Sequence, residues 1–202
     1  MRSDQSLAAR KRYRFVTLGT LAMAAVLGAS AFAAPQQVAG TFTATTANMT
    51  PAGVNLRIQI MQWQEADGRA EVVATLAGGA DAATPLAKLP TVGYVWPNGS
   101  PVGYSVKYAH RASQADGSER ITLVTDRRLG SYEFKGWSVA SPAAQSDAPY
   151  SVIELVIGSS GTGTGTFSLG GEAVLDEAAG TVALNAGAPS LLTNVQRQAA
   201  AP

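Results

Sequence analysis

Val54-Asn55-Leu56-Arg57-Ile58-Gln59-Ile60 alternates apolar and polar side chains at every step. Successive side chains of a strand point to opposite faces, so a period of two describes a strand with one face in a core and one in water. Outward from it, Glu65-Ala66-Asp67-Gly68 interrupts the pattern, and Ala70, Val72, Ala74 and Leu76 resume it, which predicts a hairpin. Val102, Tyr104, Val106, Tyr108 and His110 place a further apolar face on one strand. Asp116-Gly117 supplies a turn, and Ile121, Leu123 and Thr125 return. Residues 150–157 read as another strand, answered by 166–169 after a glycine-threonine turn, and the threonine-rich stretch 38–46 reads as the first strand. In 172–184, Ala173 to Ala179 could form a two-turn helix stopped by Gly180. Thr181-Val182-Ala183-Leu184 resumes a strand pattern and favours strand, turn, strand.

No other stretch carries a capped helical stripe, and 77–91 and 138–149 read as long irregular connections. Short strands separated by polar turns imply an all-β fold, an antiparallel β-sandwich or a small β-barrel. Residues 34–202 are expected to form a single all-β domain ending in a short flexible C-terminal tail rich in Ala and Gln.

Residues 1–33 read as a signal peptide. Arg10, Lys11, Arg12 and Arg14 precede an apolar run that ends in Ala31-Phe32-Ala33, small residues standing three and one before the expected cut. The apolar run falls short of the roughly 20 residues that a spanning helix needs, so no stable membrane insertion of the mature chain is expected. The expected location is the periplasm or the extracellular space. The chain has no cysteine, so its stability rests on packing and strand pairing rather than on disulfides. Five of its 15 basic residues (Arg2, Arg10, Lys11, Arg12, Arg14) and one of its 14 acidic residues (Asp4) lie in the leader, which leaves 10 basic against 13 acidic, a formal charge of −3. A mildly acidic domain without a basic stripe gains little from phosphate neutralisation, so nucleic acid is excluded as a partner.

Gly103-Tyr-Ser-Val-Lys-Tyr-Ala109, Arg120-Ile-Thr-Leu-Val-Thr-Asp-Arg127 and Tyr150-Ser-Val-Ile-Glu-Leu155 resemble stretches of an uncharacterised family of small exported bacterial proteins. The resemblance implies a shared fold and export, and it assigns no catalytic residue.

Chemistry-bearing residues are few. Gly158, Gly161, Gly163 and Gly165 follow a strand but lead into another strand, so they read as a hairpin turn rather than a phosphate cradle. One histidine and no cysteine leave too few ligands for a zinc site, and no cofactor is expected. His110 permits a hydrolase reading, but the chain has no Gly-x-Ser-x-Gly elbow. Arg127 and Arg128 end a strand after Asp126 and are candidate anion contacts. The aromatic stretch from Gly93 to Tyr104, with Tyr94, Trp96 and Tyr104 around Pro97-Asn98-Gly99-Ser100-Pro101, reads as a shaped loop offering flat apolar area with polar handles. The candidate ligand-binding set is Tyr94, Trp96, Asn98, Tyr104, His110, Arg127 and Arg128. The expected function is non-catalytic binding of a small molecule, a glycan or an envelope protein. The alternatives are an envelope assembly protein pairing through a strand edge, reaching with 34–50 or the tail, and a hydrolase using His110.

Overall fold

The computed structural model describes residues 38–97, 99–132, 137–139, 148–169, 173–184 and 189–199. Eight antiparallel strands close into a barrel: β1 (Gly40–Ala47), β3 (Asn55–Ile60), β4 (Gly93–Pro97), β5 (Tyr104–Ser113), β6 (Glu119–Thr125), β8 (Val152–Ile157), β9 (Thr162–Phe167) and β12 (Ser190–Gln198). Their order around the barrel is β1-β12-β9-β8-β6-β5-β4-β3, so the first and last strands pair and close the ring. Outside it lie two two-stranded ribbons, β2 (Met49–Thr50) with β7 (Ser138–Val139) and β10 (Ala173–Asp176) with β11 (Thr181–Leu184).

An eight-stranded barrel encloses just enough room for its own side chains. Phe42, Ile58, Val95, Leu123, Leu155 and Phe167 fill it, all essentially inaccessible to water, and the predicted inward positions Ile58 and Leu123 lie among them. No helix among the described residues is long and apolar enough to cross a membrane.

The sequence pattern misassigns several elements. Residues 70–76 are not a strand but part of helix α1 (Ala66–Leu76). Ala70 and Ala74 are exposed while Val72, Val73 and Leu76 are buried, a one-sided helical stripe that the alternation of small and large residues imitates. The connection 77–91 is likewise ordered, with a 3₁₀ turn (Gly79–Ala82) and helix α2 (Ala83–Lys88). Of 138–149, Ser138 and Val139 form β7, and 140–147 lie outside the described residues. The glycine run 161–165 is mostly strand. Its turn is confined to 158–161, and β9 begins at Thr162. A Cβ on Gly165 would stand 2.7 Å from the Glu154 carbonyl oxygen and 2.9 Å from the Leu155 side chain, so the glycine lets β9 press against β8. Residues 190–198, for which the sequence pattern named no strand, form the closing stave β12. The turn 176–180 between β10 and β11 has the predicted form, with the Ala179 amide donating to Asp176 Oδ1.

The single-face reading of β5 fails at Lys107. Val106 pairs with Thr125 and Tyr108 with Val124, so Lys107 is the extra residue of a β-bulge. Before the bulge Tyr104 and Val106 point inward. After it Ala109 takes the inward position, while Tyr108 joins a second apolar cluster on the outer wall. Val102 lies before the strand and is 46% exposed. That second cluster combines Tyr108, Val124 and Val152 of the wall with Val72, Val73 and Leu76 of α1, Leu86 of α2 and Val182 of β11. The Tyr108 hydroxyl donates to the Gly180 carbonyl at 3.2 Å. The barrel is thus padded over β5, β6 and β8 and bare over β12, β1, β3 and β4.

Candidate functional site

The bare wall is built by register. Thr43 of β1 stands opposite Arg57 of β3 and Gln196 of β12, and Arg57 stands opposite Trp96 of β4. One row along, Thr41 pairs with Gln59 and Gln198, and Gln59 pairs with Tyr94. These residues share the outer face because their neighbours Phe42, Ile58 and Val95 are in the core. The result is a four-strand surface of hydroxyls, amides, two aromatic rings and one guanidinium.

Trp96 is therefore an outward strand residue rather than a loop residue. It is half-buried: its ring centroid lies 5.3 Å from that of Tyr94, and the Arg57 guanidinium carbon is 4.4 Å from its centroid. A Cβ at Gly103 would stand 2.7 Å from Trp96 Nε1, so the indole seats against bare backbone there. In front of this group opens a cleft of about 620 Å³, lined by Trp96, Pro97, Gly99 and Ser100 on one side, Asn55 and Arg57 beneath, and Thr43, Thr45, Asn194 and Gln196 opposite. Asn194 enters the lining through a second bulge, in β12, where its backbone is left-handed at φ 51°. Thr45 Oγ1 bonds Asn55 Oδ1 at 3.0 Å, and the Gln198 amide donates to Thr43 Oγ1 at 3.0 Å, which orients the polar groups. No carboxylate among the described residues lines the cleft.

The remaining candidates do not join it. Asn98 lies outside the described residues. Tyr104 is fully buried in the barrel, its hydroxyl accepting from the Tyr132 amide at 3.1 Å, so it is a core residue and not a wall of the aromatic stretch. Arg127 pairs with Asp126 at 3.2 Å and lies over the Tyr132 ring at 4.9 Å. Arg128 follows in the same half-buried turn. His110 sits on the padded wall beside Tyr108, and burial, aided by the nearby Arg69 charge, pushes its pKa below the ordinary histidine value. No serine or carboxylate is hydrogen-bonded to His110 among the described residues. No group of three or more potential metal ligands occurs among them either.

Several residues escaped sequence reasoning. Lys107 is 4% exposed, and its ammonium donates to Ala87 O (3.1 Å), Leu89 O (2.8 Å) and Thr91 Oγ1 (3.0 Å), spending all three protons on the end of α2. Burial lowers its pKa, against the raising effect of Asp126. Gln64 covers the bulge, donating to Lys107 O and accepting from the Ala109 amide. Arg57, Asn194 and Gln196 are missed binding-site residues, and Arg57 is legible in the sequence only as the polar partner in an alternating strand.

No protein-family model, curated protein or solved structure matches this chain.

Proposed function

We propose that the protein is an exported, non-catalytic glycan-binding protein that holds a saccharide in the cleft across β12, β1, β3 and β4. The observation that carries this reading is the lining itself: an indole flank beside a field of hydroxyl and amide groups, open to solvent, on a wall of the barrel that no helix or ribbon among the described residues covers. Sugars present apolar C–H patches rimmed by hydroxyls, and aromatic rings flanked by Asn, Gln and Thr complement both. Gln59 and Gln196 have no side-chain hydrogen-bond partner among the described residues, which leaves donors and acceptors for a ligand. The basic segment, apolar run and Ala31-Phe32-Ala33 support export.

The alternatives receive less support. The segment 34–50, offered as a reaching arm, contains β1, and the Ala- and Gln-rich tail follows from β12; the backbone groups of β1 and β12 are hydrogen-bonded to each other and to β3 and β9. Affinity electrophoresis against a panel of neutral and acidic polysaccharides tests the proposal. Retention of the chain by at least one polymer, lost in Trp96→Ala, is the expected result. Migration unaffected by every polymer would overturn it.

A further inference from the structure

The geometry points to an acidic saccharide, one bearing a carboxylate, as the occupant of the cleft, with Arg57 as the residue that selects it. This inference rests on the glycan reading above. Arg57 is exposed, and among the described residues it is the one charged residue lining the cleft. Three other arginines are neutralised within the fold, Arg120 by Glu154, Arg127 by Asp126, and Arg197 by Glu119, whereas exposed Arg111 of β5 lies over the Trp63 ring, away from the cleft. Arg57 has no carboxylate partner and no hydrogen-bond acceptor among the described residues. Among the described residues its guanidinium is held by the Trp96 ring.

That contact orders the side chain without using its hydrogen-bonding capacity. A guanidinium lying over an indole keeps its N–H groups in its own plane, free to donate at the edge, and the flat fork matches the two oxygens of a carboxylate. A free arginine must give up rotamer freedom to make such a pair, whereas one already held by Trp96 has given up much of it before the ligand arrives. The absence of acidic groups from the lining removes the repulsion that would otherwise oppose an anion. A cation without a carboxylate partner among the described residues, kept in a cleft of neutral hydrogen-bonding groups, is a specificity element there.

The test uses three uronic-acid polymers (polygalacturonate, alginate and hyaluronan), each also in a carboxyl-reduced, neutral form, titrated into the chain and its variants. At least one acidic polymer should bind about tenfold more tightly than its reduced form, and the preference should shrink as salt is raised. Arg57→Met keeps an apolar cover on the indole but removes the charge, and it should erase the preference while leaving the reduced form bound as before. Arg57→Lys should retain part of it, because the charge survives without the fork. Equal binding of acidic and reduced forms, or a preference that persists in Arg57→Met, would overturn the inference while leaving the glycan reading intact. Trp96-sensitive binding confined to neutral glycans has the same meaning. Failure to bind any polymer, neutral or acidic, would overturn both.

Discussion

The outer surface of this barrel has two walls made by the same kind of strand and used in opposite ways. Over β5, β6 and β8 the outward side chains Tyr108, Val124 and Val152 are apolar and lie under α1, α2 and the β10–β11 ribbon. Over β12, β1, β3 and β4 the outward side chains are Gln196, Thr43, Arg57 and Trp96, and nothing among the described residues packs on them as a layer. The first wall spends its surface on stability, at roughly 25 cal/mol for each Å² of apolar area removed from water. The second leaves aromatic and polar groups accessible, which costs the fold little and leaves them available to a partner.

Mutations that remove a side chain from each wall should separate the two uses. The largest effect is expected at Tyr108→Ala, a loss of about 3 to 5 kcal/mol by chemical denaturation, since a fully buried ring and a hydrogen bond to Gly180 go together. Gln59→Ala on the bare wall should stay within about 0.5 kcal/mol. A comparable loss at both positions would erase the distinction.

Lys107→Met comes next. Removing the ammonium strands the Ala87 and Leu89 carbonyls, for about 1 to 3 kcal/mol, and amide exchange should quicken in α2 before it does in the barrel. Uniform exchange changes would mean that the padding and barrel unfold as one unit.

Trp96→Ala should cost about 1 to 2 kcal/mol, below the loss for a buried ring because the indole is only half-buried, and it should abolish polysaccharide retention. A larger stability loss with retention intact would make the bare wall structural as well.

The smallest effect is in pH. Folding lowers the His110 pKa from 6.5, so the unfolded chain binds the proton more readily, and stability is full above that value and declines as pH falls through and below it. Thermal melts across this range should show the decline, and His110→Gln should flatten it. A wild-type profile already flat there would place His110 in water.

The strands were legible wherever one face is solvated. Thr41-Phe42-Thr43-Ala44-Thr45 and 54–60 alternate without a break, and both are staves of the bare wall. The padded wall has its own mark, the adjacent apolar pairs Leu123-Val124 and Val152-Ile153, which read simply as strand although they imply burial on both faces. Helix α1 was hidden because Ala70, Val72, Ala74 and Leu76 fit a strand and a helix alike. Only the burial of Val73 beside Val72 decides between them. The β5 bulge has no local signature beyond a lysine amid apolar residues. At the site, Tyr94 and Trp96 were found because neighbours on one strand stay together. Arg57, Asn194 and Gln196 reach the same cleft from strands far apart in the chain, which only the barrel topology could reveal.

The pairing of Thr41 with Gln198 joins residues 157 positions apart, and it is the seam of the ring. Every other neighbouring pair of staves joins strands that follow one another in the chain order of the barrel, β1 to β3, β3 to β4, β4 to β5, β5 to β6, β6 to β8, β8 to β9 and β9 to β12. Until residues 190–198 arrive, β1 and β9 are open edges able to recruit strands from other molecules. The last stave therefore works as a latch: a chain truncated before it should be prone to aggregation even though most of its core-forming residues are present.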